Sequence, residues 1–181
     1  MDAAPLAGWE NFYVIIGSSA GGLTGLTFVV IALARDSSQG VLRPIGVGAF
    51  MTPTIVHFCG VLALAAFMSM PHQRTGTLSV GLGLGGLAGI VYGGLIGANM
   101  WRIGTRSKHY IPVREDWIWN VILPTAAYAG VTVIGVLLWD RPTEAALYGV
   151  AVLALALLFI SIRNLWDIAV WISVQSQREK E

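Results

Sequence analysis

Five long apolar stretches separated by short polar links constrain this chain more than any other feature. A helix that crosses the hydrocarbon of a bilayer needs about 20 mostly apolar residues. Only 12% of the residues are charged and the mean hydropathy is +0.69, whereas a soluble domain carries about 25% charge. The sequence therefore predicts an all-α integral membrane bundle of five transmembrane helices in one domain over residues 1–181. The predicted helices cover 11–34, 45–70, 78–101, 118–139 and 145–174.

The lysine and arginine residues are distributed unequally between the two ends of this bundle. With five spans, the first link, the third link and the C-terminus lie on the same side. That side holds Arg35, Arg43, Arg102, Arg106, Lys108, Arg114, Arg178 and Lys180. The opposite side holds only Arg74 and Arg141. Because cytoplasmic loops are enriched in Lys and Arg, we predict that the N-terminus is outside and the C-terminus is cytoplasmic.

Two of the predicted helices carry glycines at a spacing of four, the pattern of a glycine zipper. In the first helix these are Gly17, Gly21 and Gly25, and in the third they are Gly81, Gly85, Gly89, Gly93 and Gly97. Small residues let helix backbones approach closely in lipid, where van der Waals contact holds helices together. The glycines are therefore interpreted as packing of the first helix on the third, as a contact between subunits, or as a pore lining.

His57 lies at the midpoint of the second predicted helix. An ionisable residue at membrane depth is costly and by default suggests a functional site. An imidazole there is able to bind a metal or haem, to relay a proton, or to hydrogen-bond a neighbouring helix. His72 and His109 lie near or in the links, so no pair of histidines is expected to hold a haem within one subunit.

Two prolines point to polar groups near the same depth as His57. Pro53 and Pro124 each remove a backbone donor and predict a kink in the second and fourth helices. Thr54 is expected to satisfy backbone groups that Pro53 frees. Tyr128 lies near the midpoint of the fourth helix, so His57 and Tyr128 could form one polar spot; the alternative is that the kinks only shape the helices.

Polar residues also occur near the predicted inner end. Arg163 and Asp167 are four residues apart on the fifth helix and should share a face. If buried, they form an ion pair that acts as a gate or a latch between helices, and Asn99 of the third helix could join them. At the interface, Arg163 would extend to the headgroups and the pair would have no special role. The fifth helix is expected to continue past Arg163.

The first predicted helix resembles that of small, largely uncharacterised bacterial multi-span proteins, which begin with W-x-x-F followed by G-x-x-x-x-L-x-G-L-x-F-V. The matching positions are Trp9, Phe12, Gly17 or Gly21, Gly22, Leu23, Gly25, Leu26, Phe28 and Val29. The resemblance covers about one seventh of the chain. It implies a multi-pass protein of the bacterial inner membrane and carries over no activity and no functional residues.

No catalytic motif, metal-ligand set or phosphate-binding loop occurs in the sequence, so no enzyme activity, metal or resident cofactor is predicted.

A five-helix subunit is small for enclosing a gated path. The leading hypothesis is therefore a homo-oligomeric channel or pore for ions or small solutes. Its candidate binding or pore residues are Thr54, His57, Asn99, Tyr128, Arg163 and Asp167. The expected partners are the lipid bilayer and further copies of the chain, and the net charge of +1 gives no indication of nucleic acid. One alternative is an electron-transfer protein that holds haem or quinone at His57, and another is a non-catalytic partner or assembly subunit.

Overall fold

The computed structural model of the chain is a bundle of five helices. It describes residue 6 and residues 8–37, 44–106, 112–140 and 144–178, and no strand occurs within those ranges. The helices are α1 (Glu10–Ser37), α2 (Pro44–Met68), α3 (Thr75–Arg106), α4 (Arg114–Asp140) and α5 (Glu144–Arg178). Each contains a stretch long and apolar enough to cross a membrane. The prediction of an all-α chain with five such helices is confirmed, and these helices indicate a multi-pass membrane protein.

The helices end close to the predicted positions, for local reasons that are clearest in α2. This helix ends at Met68, because Pro71 cannot continue it and the Gln73 side chain donates a hydrogen bond to the carbonyl of Phe67. His72 follows with a φ of 57°, which reverses the chain toward α3. The fifth helix is continuous through Arg163, as expected. Arg43, Lys108, His109, Arg141 and Lys180 lie outside the described residues, and the orientation of the chain stays a prediction.

The helices form a closed ring in chain order, with α2 and α5 also in contact across it. The longest contact joins α3 to α4, while α1 lies against α2 and α5, and α4 packs on α5. Within the described residues, α1 makes no extended contact with α3, although such packing was one interpretation of the glycines. Gly17 of α1 instead faces α2, where a Cβ on Gly17 would lie 3.1 Å from the Cβ of Ala65.

The glycines of α3 serve mainly to bring α3 against α4. A Cβ at Gly86 would lie 2.7 Å from the backbone nitrogen of Thr132, and a Cβ at Gly89 would collide with the ring of Tyr128. A Cβ at Gly93 would likewise collide with the hydroxyl group of Thr125. The antiparallel backbones of α3 and α4 therefore approach to a distance that only glycine permits.

The spacing of four does not define one face of α3. An α-helix turns by 100° per residue, so each step of four rotates the position by about 40°. The contacts follow this drift. Gly81 faces Phe67 of α2, Gly85 has no atom of another element within 4 Å of a Cβ position, and Gly89 and Gly97 face α4. The stripe seen in the sequence is thus divided between positions that face α2, positions that face α4, and Gly85, which is open.

A π-helical turn in α4 explains the role of Asn164. Residues Ile118–Ile122 are π-helical, and the N–H of Leu123 donates to the carbonyl of Ile118. The next donor in this pattern would be Pro124, which has no N–H, so the carbonyl of Trp119 loses its backbone partner. The buried Asn164 side chain of α5 donates to that carbonyl at 3.2 Å. This hydrogen bond joins α4 to α5 at the end of the bundle opposite to the α4–α5 link.

Glycine replacements in α3 should separate close packing from helix propensity. Gly89→Ala places a methyl group against the Tyr128 ring and should lower the free energy of unfolding by about 1–3 kcal/mol, the usual cost of overpacking. Gly94→Ala is the matched control, since a Cβ there meets no atom of another element within 4 Å. The measurement is denaturant unfolding in micelles, followed by circular dichroism. Equal stability of the two variants would contradict the packing assigned to Gly89.

The link between Asn164 and Pro124 predicts coupled effects in a double-mutant cycle. Asn164→Leu leaves the carbonyl of Trp119 without this partner, and should cost about 1–3 kcal/mol of unfolding free energy. Pro124→Ala restores an N–H that is able to donate to that carbonyl. In the Pro124→Ala background, Asn164→Leu should therefore cost clearly less. Strictly additive effects of the two substitutions on unfolding free energy would show that Asn164 does not compensate for Pro124.

Candidate functional site at His57

His57 lies in the middle of α2 and is fully buried. The turn before it contains Pro53 and the buried Thr54, and α2 remains helical through both. Gly60, one turn later, makes room for a side chain from α4, since a Cβ on Gly60 would lie 2.7 Å from the hydroxyl oxygen of Tyr128. The local sequence of α2 therefore buries an imidazole and opens a place for a tyrosine hydroxyl beside it.

Tyr128 supplies the partner of this imidazole. Its hydroxyl oxygen lies 3.1 Å from Nδ1 of His57, and both side chains are buried. The polar spot that matching depth suggested for these two residues is present. A neutral imidazole has one N–H and one acceptor nitrogen. If Tyr128 donates to Nδ1, Nε2 carries the proton; if Nδ1 donates, Nε2 carries the lone pair.

Tyr92 of α3 completes what we call the His57 cluster, formed by His57, Tyr92 and Tyr128. The Tyr92 ring meets the imidazole edge-on, with the ring centroids 6.0 Å apart and the planes at 78°. The Tyr128 ring lies 5.7 Å from the imidazole centroid at 40°. Three helices thus hold the imidazole. Contacts with Gly60 and Gly89 fix the position of Tyr128, which in turn orients His57.

The second ring nitrogen of His57 is the unusual feature of this cluster. Nε2 is buried and has no hydrogen-bond partner within the described part of the chain. A buried polar atom without a partner costs about 1–3 kcal/mol, and such atoms in native proteins are often explained by a bound group or by a catalytic or redox role. The Thr125 hydroxyl, one turn before Tyr128, is also buried and unpartnered within those residues. The middle of the bundle therefore offers hydrogen-bonding capacity to a small group.

A metal site of several protein ligands is not formed around His57. No group of three or more His, Cys, Asp or Glu side chains suited to a metal ion occurs among the described residues. Cys59, two residues from His57, is exposed on the outer side of α2. The His57 cluster is composed of one imidazole and two tyrosine side chains, which contact one another through a hydrogen bond and through their rings.

The other predicted site residues do not join this cluster. Arg163 and Asp167 form an ion pair at 2.7 Å, with 34% and 52% of their side chains exposed. The Arg163 guanidinium also stacks on the Trp119 ring, 4.1 Å from its centroid. Both side chains of this pair are thus partly exposed at the surface of the bundle. Asn99 is exposed on α3. The structure therefore joins His57 to Tyr128, with Thr54 one turn before His57, and joins Arg163 to Asp167.

Sequence reasoning missed two members of the site. Tyr92 is the one tyrosine of the glycine-rich helix α3 and lies near the depth of His57. Both features can be read from the sequence. Gly60 was not distinguishable from other glycines in the sequence, because its role depends on the approach of Tyr128 from α4. The carbonyl of Trp119 and its partner Asn164 were also missed, since a π-helical turn leaves no simple sequence pattern.

Comparisons with known proteins leave the interpretation to this geometry. The chain matches no protein-family model, no curated protein and no solved structure. The resemblance of the first helix to bacterial inner-membrane proteins stays a prediction.

The hydrogen bond between His57 and Tyr128 should contribute measurably to stability. Tyr128→Phe removes the partner of Nδ1 and leaves both ring nitrogens buried and unpaired, which should lower the free energy of unfolding by about 1–3 kcal/mol. The matched control is Tyr148→Phe, because the Tyr148 side chain is exposed and meets Trp9 through its ring. Denaturant unfolding in micelles gives both values. If both variants had the same denaturant midpoint as the wild-type protein, the hydrogen bond would not contribute to stability.

Proposed function

We propose that this protein is a membrane protein that binds a quinone headgroup, with His57 as the hydrogen-bonding residue. The observation that carries the proposal is the Nε2 atom of His57, which is buried in the middle of an apolar bundle without a partner among the described residues. The other ring nitrogen of His57, Nδ1, is hydrogen-bonded to the Tyr128 hydroxyl. A fixed imidazole with one nitrogen available is suited to bind an uncharged polar group.

The chemistry of a quinone fits the His57 cluster. A quinone carbonyl accepts a hydrogen bond and carries no charge, and burial of a charged ligand without a counter-charge would be far more costly. With Tyr128 donating to Nδ1, the Nε2–H is available to a carbonyl oxygen. The rings of Tyr92 and Tyr128 supply aromatic contacts of the kind that planar groups prefer. Ligand pockets in proteins typically combine such apolar walls with a few polar groups.

Haem at His57 is the closest competing ligand. Imidazole is a common axial ligand of haem iron, and a free Nε2 would serve. However, His57 is followed by Phe58 and Val61, which are fully buried, and the rings of Tyr92 and Tyr128 pack on the imidazole. These contacts favour a single-ring headgroup over a macrocycle. An absorption spectrum of freshly purified protein separates the two, because only haem gives a Soret band.

The homo-oligomeric channel stays a prediction. Within one chain, Thr125, Tyr128 and Thr132 fill the space left by those α3 glycines that face α4. A pore would need to form between subunits, along surfaces that face outward in a single chain. The mass of the solubilised particle and ion flux into liposomes test this hypothesis, and copurification tests the partner-subunit hypothesis.

Quinone binding should depend on His57. We expect the wild-type protein in micelles to bind a short-tailed benzoquinone with one site per chain, measured by titration calorimetry. His57→Leu should weaken binding by about tenfold or more, since about 1.4 kcal/mol of lost hydrogen bonding is tenfold in affinity. His57→Gln, which keeps a donor, should lose less. The control is His72→Asn, because His72 is exposed at a positive φ that Asn tolerates.

Two results would overturn the proposal. One is a wild-type protein that binds no quinone while it remains folded by circular dichroism. The other is a folded His57→Leu variant that binds with wild-type affinity, which would place the ligand elsewhere.

A further inference from the structure

We infer that the ligand of the His57 cluster reaches it sideways from the bilayer, between α2 and α3, and is therefore lipid-soluble. This inference rests on the proposed function. It names the access path and the class of ligand, a quinone whose apolar tail remains in the hydrocarbon while its headgroup enters the bundle.

The contact between α2 and α3 is the thinnest part of the helix ring. These helices meet over a short stretch, whereas α3 follows α4 along most of its length and α1 covers α2 and α5. Toward one end the contact is tight, because a Cβ on Gly81 would collide with the Phe67 ring. Toward the middle, Tyr92 lies against His57. The packing around the His57 cluster is thus weakest between α2 and α3, in the stretch that separates these two contacts.

Four small residues line that stretch, and we call them the α2–α3 gap. They are Gly60 and Ala63 of α2, and Gly85 and Ala88 of α3. Helical periodicity places Gly60 and Ala63 on the same side of α2 as Phe67, which faces α3. It likewise places Gly85 and Ala88 on the α2-facing side of α3, between Gly81 and Tyr92.

Three of these four positions are open, whereas the Tyr128 hydroxyl fills the place of a side chain at Gly60. Gly85, Ala63 and Ala88 are exposed, and no atom of another element lies within 4 Å of a Cβ position on Gly85. In contrast, most glycines of α3 that face α4 are filled by its side chains. The surface between Phe67 and Tyr92 is therefore open at the level where α2 and α3 should otherwise touch.

The gap leads directly to the His57 cluster. Gly60 is half-buried, and a Cβ there would lie 2.7 Å from the Tyr128 hydroxyl oxygen, which in turn contacts Nδ1 of His57. The fully buried imidazole behind it has an unpartnered Nε2 among the described residues. The group at the inner end of the opening is thus the Tyr128 hydroxyl, which is hydrogen-bonded to the imidazole that carries the unpartnered Nε2.

The outer rim of the gap favours a ligand with an apolar tail. The neighbouring positions Leu84, Leu87 and Val91 of α3 and Leu62 of α2 are exposed large apolar side chains. No Asp, Glu, Lys or Arg occurs from Gly81 to Tyr92 on α3 or from His57 to Phe67 on α2. A ligand that arrives from water would meet no polar path here, while one dissolved in lipid would meet a continuous apolar surface.

Closing the gap with a larger side chain tests this inference. Gly85→Leu fills the opening without a collision at Cβ, and Gly94→Leu is the matched control on the same helix, since Gly94 is also exposed with no contact within 4 Å. The probe is a benzoquinone with a ten-carbon tail, added to protein in nanodiscs, and stopped-flow kinetics follow its binding. Gly85→Leu should slow association and dissociation together by about tenfold or more, with the affinity little changed, whereas loss of a binding contact acts mostly on dissociation. Gly94→Leu should behave as wild type.

The outcomes separate this inference from the proposed function. If the wild-type protein binds the probe and Gly85→Leu binds it at the wild-type rate, access through the α2–α3 gap is refuted while quinone binding stands. If Gly85→Leu and Gly94→Leu slow binding equally, the effect is general to α3 and the inference also fails. If the wild-type protein binds no quinone, the proposed function fails, and this inference fails with it.

Discussion

The contact of Tyr128 with two glycines is the interaction on which the rest of the site depends. Gly89 of α3 lets α4 approach so closely that the Tyr128 ring lies against the α3 backbone, and Gly60 of α2 makes room for its hydroxyl group. Tyr128 is thereby fixed between three helices, with its oxygen 3.1 Å from Nδ1 of His57. In lipid, where little hydrophobic force drives helices together, such close approach supplies much of the attraction. The same packing both holds the bundle together and orients the imidazole.

The sequence was sufficient to predict the elements and the depth of the central site. Apolar length predicts five helices, and the midpoint positions of His57 and Tyr128 allow them to meet, as they do. Depth along a helix does not determine direction around it. The glycines at a spacing of four therefore suggested one face, although helical drift divides those of α3 between positions that face α2, positions that face α4, and the open Gly85. The pairing of Asn164 with the carbonyl of Trp119 depends on a π-helical turn before Pro124, and such a turn leaves no simple sequence pattern.

Some polar groups of the bundle have partners within the described residues and others, which include the buried Tyr13 hydroxyl, have none there. Near one end of α4 and α5, Asn164 donates to a backbone carbonyl, and Arg163 pairs with Asp167 and stacks on Trp119. In the middle, Nε2 of His57 and the hydroxyl of Thr125 are buried without partners among the described residues. Because such burial is costly, these central groups are the basis of the proposed binding site. In that proposal, the α2–α3 gap connects the site to the lipid.

The most direct test of this account is the nitrogen-15 NMR signal of the His57 side chain in protein labelled at histidine, recorded with and without a quinone. The three histidines of the chain are assigned by single substitution. The account predicts that the Nε2 signal of His57 shifts when quinone is added and that Nδ1 remains bonded to Tyr128, while His72 and His109 are unchanged. A His57 Nε2 signal that is the same with saturating quinone would contradict the central claim that this nitrogen binds the ligand.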